Sequence, residues 1–209
     1  MNEETLDEIL NGLVRVFQKK RGYRFSIDAL LLAHFVSLQA RSKALDLGTG
    51  SGIVPLILAN RFPHTVWMGL EIQANMAQLA DKNVQLNGLQ ERVTIVHGDA
   101  RKVRSTFPAH SFDAVTCNPP YRKINSGRVN PSEEKAIARH EIEGSLKDFL
   151  HAAKYLLKPG GKFFAIYPAK RLVELVSLFR ANSMEPKRMK LVFTNEASNA
   201  VFVLAEGRR

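Results

Sequence analysis

The chain has 209 residues, with 30 Lys and Arg against 20 Asp and Glu for a net charge of +10. That length suits one domain able to bury roughly 70% of its unfolded surface; a single cysteine excludes an internal disulfide, and six scattered histidines without ligand spacing imply no metal. No apolar run approaches the roughly 20 residues that span a bilayer, and the acidic start Met1-Asn2-Glu3-Glu4 has no apolar signal core, so a reducing, cytoplasmic setting without a membrane partner is expected and the excess charge asks for a polyanion.

An amphipathic segment over residues 4–13 comes first, then a helix over 27–37 opened by Ser26 as its cap. Together they form an expected N-terminal helical lid region, residues 1–41, over a ligand cleft, with Asp28 capping or orienting the lid helix. The core, residues 42–209, alternates from Ala44 onward: a buried strand to Leu47, a helix over 52–61, a strand over 65–70, a helix over 74–86, a strand over 92–97, a short helix and a strand over 112–117. A polar stretch over 123–141, with Gly127, Asn130 and Pro131, reads as a substrate loop. A helix over 146–157, a strand over 162–167 and a helix over 169–182 follow, then strands over 188–193 and 200–205. Alternating strands and helices predict a parallel, doubly wound α/β sheet of seven strands with helices on both faces. The last two strands have no helix between them, so the final one should run antiparallel.

The strand at 44–47 runs into Gly48-Thr49-Gly50-Ser51-Gly52. A dinucleotide fingerprint needs its third glycine where Ile53 stands, and a phosphate loop needs a Gly-Lys-Ser/Thr that is missing. A Gly-x-Gly-x-Gly turn still lets backbone approach a ligand closely, and Asp46 at the strand end can take a ligand ammonium group. Glu71 ends the next strand, where it would meet ribose hydroxyls. Asp99, with Ala100 beside it, ends the third; it could accept from an adenine amino group or cap the following helix. At the end of the fourth stands Asn118-Pro119-Pro120-Tyr121. Two prolines remove two donors and stiffen the chain as it leaves the sheet. The Asn118 side-chain oxygen and the Pro119 carbonyl become two acceptors, and Tyr121 offers a ring on which a base can stack. The ordered set describes an S-adenosylmethionine pocket beside a site for a planar, amino-bearing nitrogen.

Residues 46–52, Glu71, Asp99 and Asn118-Pro119-Pro120-Tyr121, in this order, resemble the class I S-adenosylmethionine-dependent methyltransferases, and the last motif resembles their amino-methylating branch. The segments 24–33 and Ala138-Arg139-His140-Glu141 are similar to those of bacterial adenine-N6 methyltransferases acting on valine tRNA; Leu156-Leu157-Lys158-Pro159-Gly160-Gly161 is a common class I feature. The likeness runs from about Tyr23 to Glu206. It implies a Rossmann-like sheet, S-adenosylmethionine as cofactor, tRNA or another structured RNA as partner, and a monomer or weak homodimer. Members of that family often continue past the last strand, where this chain stops at Gly207-Arg208-Arg209, so RNA contacts of such an extension are not carried over.

The implied chemistry is in-line methyl transfer to the N6 of an adenine flipped out of its stack. Asn118 and the Pro119 carbonyl would each accept one amino hydrogen, favouring a pyramidal nitrogen and stabilising its developing charge. Lys19, Lys20, Arg21 and Arg24 before the pocket, and Arg122, Lys123 and Arg128 after Tyr121, would grip phosphates without reading sequence. A third cluster, Lys187, Arg188 and Lys190, reads as the exposed start of a strand. Methylation of a glutamine side-chain amide in release factors uses the same motif on an equally planar group, though with a helical domain ahead of the glycine turn. DNA adenine methylation usually adds a target-recognition domain, and a methyltransferase-like module that binds RNA without activity is a further alternative.

Overall fold

The computed structural model describes residues 4–20, 24–119 and 144–209. A seven-stranded sheet forms from β3 (Lys43–Leu47), β4 (Val66–Glu71), β5 (Val93–His97), β6 (Phe112–Cys117), β7 (Leu157–Pro168), β8 (Glu185–Val192) and β9 (Phe202–Arg208), in the order β5-β4-β3-β6-β7-β9-β8. The first five strands are parallel, and β9 runs antiparallel to both β7 and β8. The predicted doubly wound sheet with an antiparallel last strand is therefore present.

Both faces of this sheet must be apolar because helices cover both. On one face Leu45, Leu47, Val115, Cys117, Phe163 and Tyr167 pack under α4 (Leu146–Leu156) and α5 (Leu172–Ala181). On the other, Ala44, Ala114, Phe164, Ile166 and Leu204 pack with α1 (Ile27–Phe35) and α2 (Ile53–Arg61). Along β7 the side chains from Phe163 to Tyr167 alternate between the two cores, as the strand's period of two requires. α3 (Ala74–Leu86) packs on β5, and a 3-10 turn over Ala100–Ser105 packs on α4.

The N-terminal segment departs from expectation. Residues predicted to begin a helical lid form a hairpin, β1 (Glu4–Ile9) and β2 (Val14–Lys19), joined through Leu10-Asn11-Gly12-Leu13. Leu10, Asn11 and Gly12 all adopt positive φ. An Asn-Gly pair accepts that conformation readily, and it reverses the chain before a helical turn can propagate. On β2, Val14, Val16 and Gln18 are buried in alternation, a strand pattern within which a helical reading finds no continuous stripe. Ser26 occupies the N-cap position of α1, but its hydroxyl donates to the Asp28 carboxylate instead of accepting from the helix. Asp28 is buried and accepts from the Ala29 N–H.

Gly69 on β4 lies opposite Asp46 in register. A Cβ there would stand 2.8 Å from Thr49 Cγ2 and 2.9 Å from Ile95 Cδ1. Gly69→Ala is expected to lower unfolding stability by about 1–3 kcal/mol through overpacking beneath the glycine turn. Urea titration checks this, and an unchanged midpoint would mean that Thr49 and Ile95 give way freely.

Candidate active site

Register carries the sequence motifs to one edge of the sheet. Leu47 pairs with Leu70 and with Cys117, and Glu71 pairs with His97. The residues that follow or end these strands, Asp99, Glu71, Gly48 and Asn118, therefore stand in a row across β5, β4, β3 and β6. At about 4.8 Å per strand, three steps give a row on the order of 14 Å long, a length suited to an extended ligand.

The turn after β3 is held from below. The N–H groups of Gly48 and Thr49 both donate to the Leu70 carbonyl, at 2.8 and 3.0 Å. Gly48, Gly50 and Gly52 have φ of +71°, +57° and +81°, which residues bearing a Cβ adopt only at a cost. Glu71 finishes the clasp, its Oε2 accepting from Gly50 N–H at 2.8 Å and its Oε1 from Gln73 N–H at 3.0 Å. Burial raises the Glu71 carboxyl above its ordinary range, against the pull of these backbone donors. Each of its oxygens keeps a second lone pair for a ligand hydroxyl.

Asp46 is 2% exposed and lies under the same turn. Its Oδ1 accepts from Thr116 Oγ1 on the neighbouring strand at 2.6 Å. Removal from water pushes its pKa from 3.8 to about 7, despite that hydrogen bond. A buried carboxylate with a raised pKa is poised to ionise fully when a cationic group arrives. Thr116 was not legible as a site residue, because its partnership with Asp46 exists only through the parallel register of β3 and β6.

Asp99 does what a cap does. It accepts from Arg101 N–H at 2.8 Å at the start of the 3-10 turn, and the Arg101 guanidinium grips both carboxylate oxygens at 2.7–3.0 Å. The Arg101 hydrogen bonds hold its carboxyl below the usual range. Ala100 opens that turn. Arg101 therefore stands beside any ligand amine that Asp99 accepts, a neighbour the sequence did not reveal.

Asn118 follows β6 directly, and its Oδ1 is buried without a hydrogen-bond partner among the described residues. A buried carbonyl oxygen left unpaired costs about 1–3 kcal/mol. Such a cost persists where a ligand repays it. Pro119 is buried beside it. Cys117, just before, is fully buried, and burial pushes its thiol well up, so it stays protonated and offers no nucleophile. Pro120, Tyr121, Arg122, Lys123 and Arg128, the predicted loop over 123–141 with His140 and Glu141, and Arg21 lie outside the described residues.

Of the remaining basic candidates, Lys19 ends β2 and Lys20 follows it, exposed. Arg24 is bound to the hairpin, with Nη2 2.6 Å from Asp7 Oδ2 and Nη1 2.8 Å from Thr5 Oγ1. Lys187, Arg188 and Lys190 lie on the edge strand β8. Arg188 is spent on structure, pairing with Glu206 at 2.9 Å and stacking 4.1 Å from the Phe35 ring centre.

The model of the methyltransferase small domain family matches residues 16–176. A tRNA1(Val) (adenine(37)-N6)-methyltransferase of Tolumonas auensis is 29% identical over 190 residues, covering 90% of this chain and 78% of its own. Among solved structures, a predicted O-methyltransferase from Agrobacterium tumefaciens superposes with a TM-score of 0.70 at 21% identity, over 87% of this chain and 80% of its own. A geranyl diphosphate C-methyltransferase from Streptomyces coelicolor, solved with S-adenosyl-L-homocysteine, gives 0.63 at 13% identity, over 88% and 78%. At such identities these two likenesses are of fold.

Proposed function

The chain belongs to the methyltransferase small domain family, and on that premise we propose that it methylates the exocyclic N6 amine of an adenine in tRNA, with S-adenosylmethionine as donor. The observation that carries this reading is the buried Oδ1 of Asn118, without a hydrogen-bond partner among the described residues, at the end of the row that begins with Asp99 and passes Glu71 and the glycine turn. The name of the Tolumonas relative supports the choice of tRNA and of adenine, and a net charge of +10 suits a polyanion.

The residues present fit the donor. Gly48 exposes backbone with no side chain at the mouth of the turn, Glu71 keeps acceptor capacity for hydroxyls, and Asp46 can complement an ammonium group. When bound, S-adenosylmethionine supplies an electrophilic methyl group on a sulfonium. The protein's part is placement and charge. Asn118 Oδ1 and the Pro119 carbonyl accept the two amino hydrogens, drawing the nitrogen lone pair out of the ring. Positive charge grows on that nitrogen during transfer, and two fixed acceptors stabilise it without reorganising. The methylated nitrogen is cationic and strongly acidic, so it gives its extra proton to water once the carbon–sulfur bond has broken; no strong base is needed, and Cys117 takes no part.

Purified protein incubated with isotope-labelled S-adenosylmethionine and unmodified total tRNA tests the reading. Nuclease digestion and mass spectrometry are expected to show labelled N6-methyladenosine. No label in RNA, with label in a glutamine side chain when a release factor is offered in place of tRNA, would replace it.

A further inference from the structure

Two asparagines stand at the C-terminal end of α3: Asn83 inside the helix, where Asn is a poor residue, and, four positions on, Asn87 as its C-cap. Both address the free edge of β2. Asn83 Oδ1 accepts from Phe17 N–H at 2.7 Å while its Nδ2 donates to the Phe17 carbonyl at 3.1 Å. Asn87 Oδ1 accepts from Arg15 N–H at 2.9 Å while its Nδ2 donates to the Arg15 carbonyl at 2.6 Å. The geometry explains the spacing. Four helical residues advance about 6 Å, and two strand residues advance about 6.6–6.8 Å. Carboxamides at i and i+4 of a helix can therefore meet successive outward-facing residues of a strand. Each mimics one rung of a ladder, and together they satisfy an edge that would otherwise be bare. Lys82, packed 4.0 Å from the Phe17 ring centre and paired with Glu4, adds a third tie between α3 and the hairpin.

Asn83 does one thing that Asn87 does not. Its second amide proton goes to the Ser51 carbonyl at 3.0 Å, inside the glycine turn. Asn83 is completely buried, and its three bonds exhaust both donors of the amide. Just beside this contact Gly52 packs against Ala80 of α3, where a Cβ would stand 3.3 Å from that of Ala80. The turn is thus clasped from the sheet by Glu71 and from the helix by Asn83, and the second clasp is shared with the N-terminal hairpin.

We infer that Asn83 is a positioning residue which makes the hairpin part of the donor-binding turn, so that docking of β2 and donor affinity are coupled. The inference rests on reading that turn as the donor site. A single amide joins the two backbones at Phe17 and Ser51, so displacing either strains the other's hydrogen bond. By thermodynamic reciprocity, a ligand that steadies the turn must also steady the hairpin.

The test compares Asn83→Ala with Asn87→Ala, which loosens the same hairpin from the same helix without touching the turn. Amide hydrogen exchange in the free protein is expected to quicken at residues 14–19 in both variants, but at Gly50 and Gly52 only in Asn83→Ala. Calorimetric titration with S-adenosylmethionine is expected to show at least a tenfold weaker affinity for Asn83→Ala and less than a twofold change for Asn87→Ala. Donor-induced slowing of exchange at Phe17, expected in wild type, should vanish in Asn83→Ala. If Asn83→Ala does not fold, Asn83→Gln, one methylene too long to serve both backbones at once, is expected to show the same pattern. Unchanged exchange at the turn, or equal loss of affinity in both variants, removes Asn83 as the link and overturns the inference. The exchange experiment needs no ligand. A wild-type protein that fails to bind S-adenosylmethionine, yet shows the selective change at Gly50 and Gly52, overturns the proposed function and leaves the clasp intact.

Discussion

Asn118→Ala is expected to lose roughly a hundredfold or more in turnover, the loss typical when one preorganised polar contact to a developing charge is removed, while donor affinity stays within about twofold. The split follows from the position of Asn118. Its Oδ1 has no hydrogen-bond partner among the described residues, so truncation of that oxygen breaks no hydrogen bond to them. The groups proposed to hold the donor, Asp46, Glu71 and the glycine turn, belong to other strands and keep their own hydrogen bonds. What is lost is the acceptor that favours a pyramidal nitrogen. Single-turnover rates on tRNA, set against calorimetric binding of the donor, separate the two effects. Turnover equal to wild type would remove Asn118 from the chemistry.

Asp46→Asn is expected to stabilise the free protein at pH 8 and to flatten its stability between about pH 4 and 7. In the folded state burial lifts the Asp46 carboxyl from 3.8 to about 7. The native form therefore holds a proton that the unfolded chain has released, and stability falls as pH rises through that window. A rise of that size, at about 1.4 kcal/mol per pH unit, corresponds to a penalty of a few kcal/mol above pH 7. The full benefit of the native environment is present below the unfolded pKa and gone above the folded one. Asparagine keeps an acceptor for Thr116 and carries no charge, so the penalty disappears. Urea unfolding of both proteins at pH 5 and pH 8 measures it, and parallel pH profiles would show that Asp46 ionises freely in the fold. The same variant should bind the donor more weakly, because a neutral amide complements an ammonium group poorly. A carboxylate that destabilises the free protein and is discharged by ligand is a common compromise at a binding site.

Much of this molecule was readable along the chain. The helix at Ala74–Leu86 and the strand at Phe112–Cys117 fall where periodicity places them, because each has a local signal that no tertiary contact overrides. The strand predicted over 162–167 instead runs back to Leu157. There Gly160 and Gly161 bond to Arg209 at the far end of the sequence, and a register shift opposite Phe112 absorbs the extra length. The hairpin has a local signal, Asn11-Gly12 ahead of the alternation Val14, Val16, Gln18, which an amphipathic-helix reading of residues 4–13 passes over; its second edge pairs with the side chains of Asn83 and Asn87. Nothing near β2 in sequence announces that.

Local pattern settled the alternation of strands and helices, the glycine turn and the residues at each strand end, because backbone conformation, burial period and loop chemistry are short-range properties of a chain. It could not settle which of those ends face one ligand in a row, which threonine steadies Asp46, or that Asn83 ties the N-terminus to the turn. Those depend on parallel register and helix packing between residues up to 70 positions apart. Such contacts form when buried surfaces meet, and the surfaces exist only once the sheet is wound.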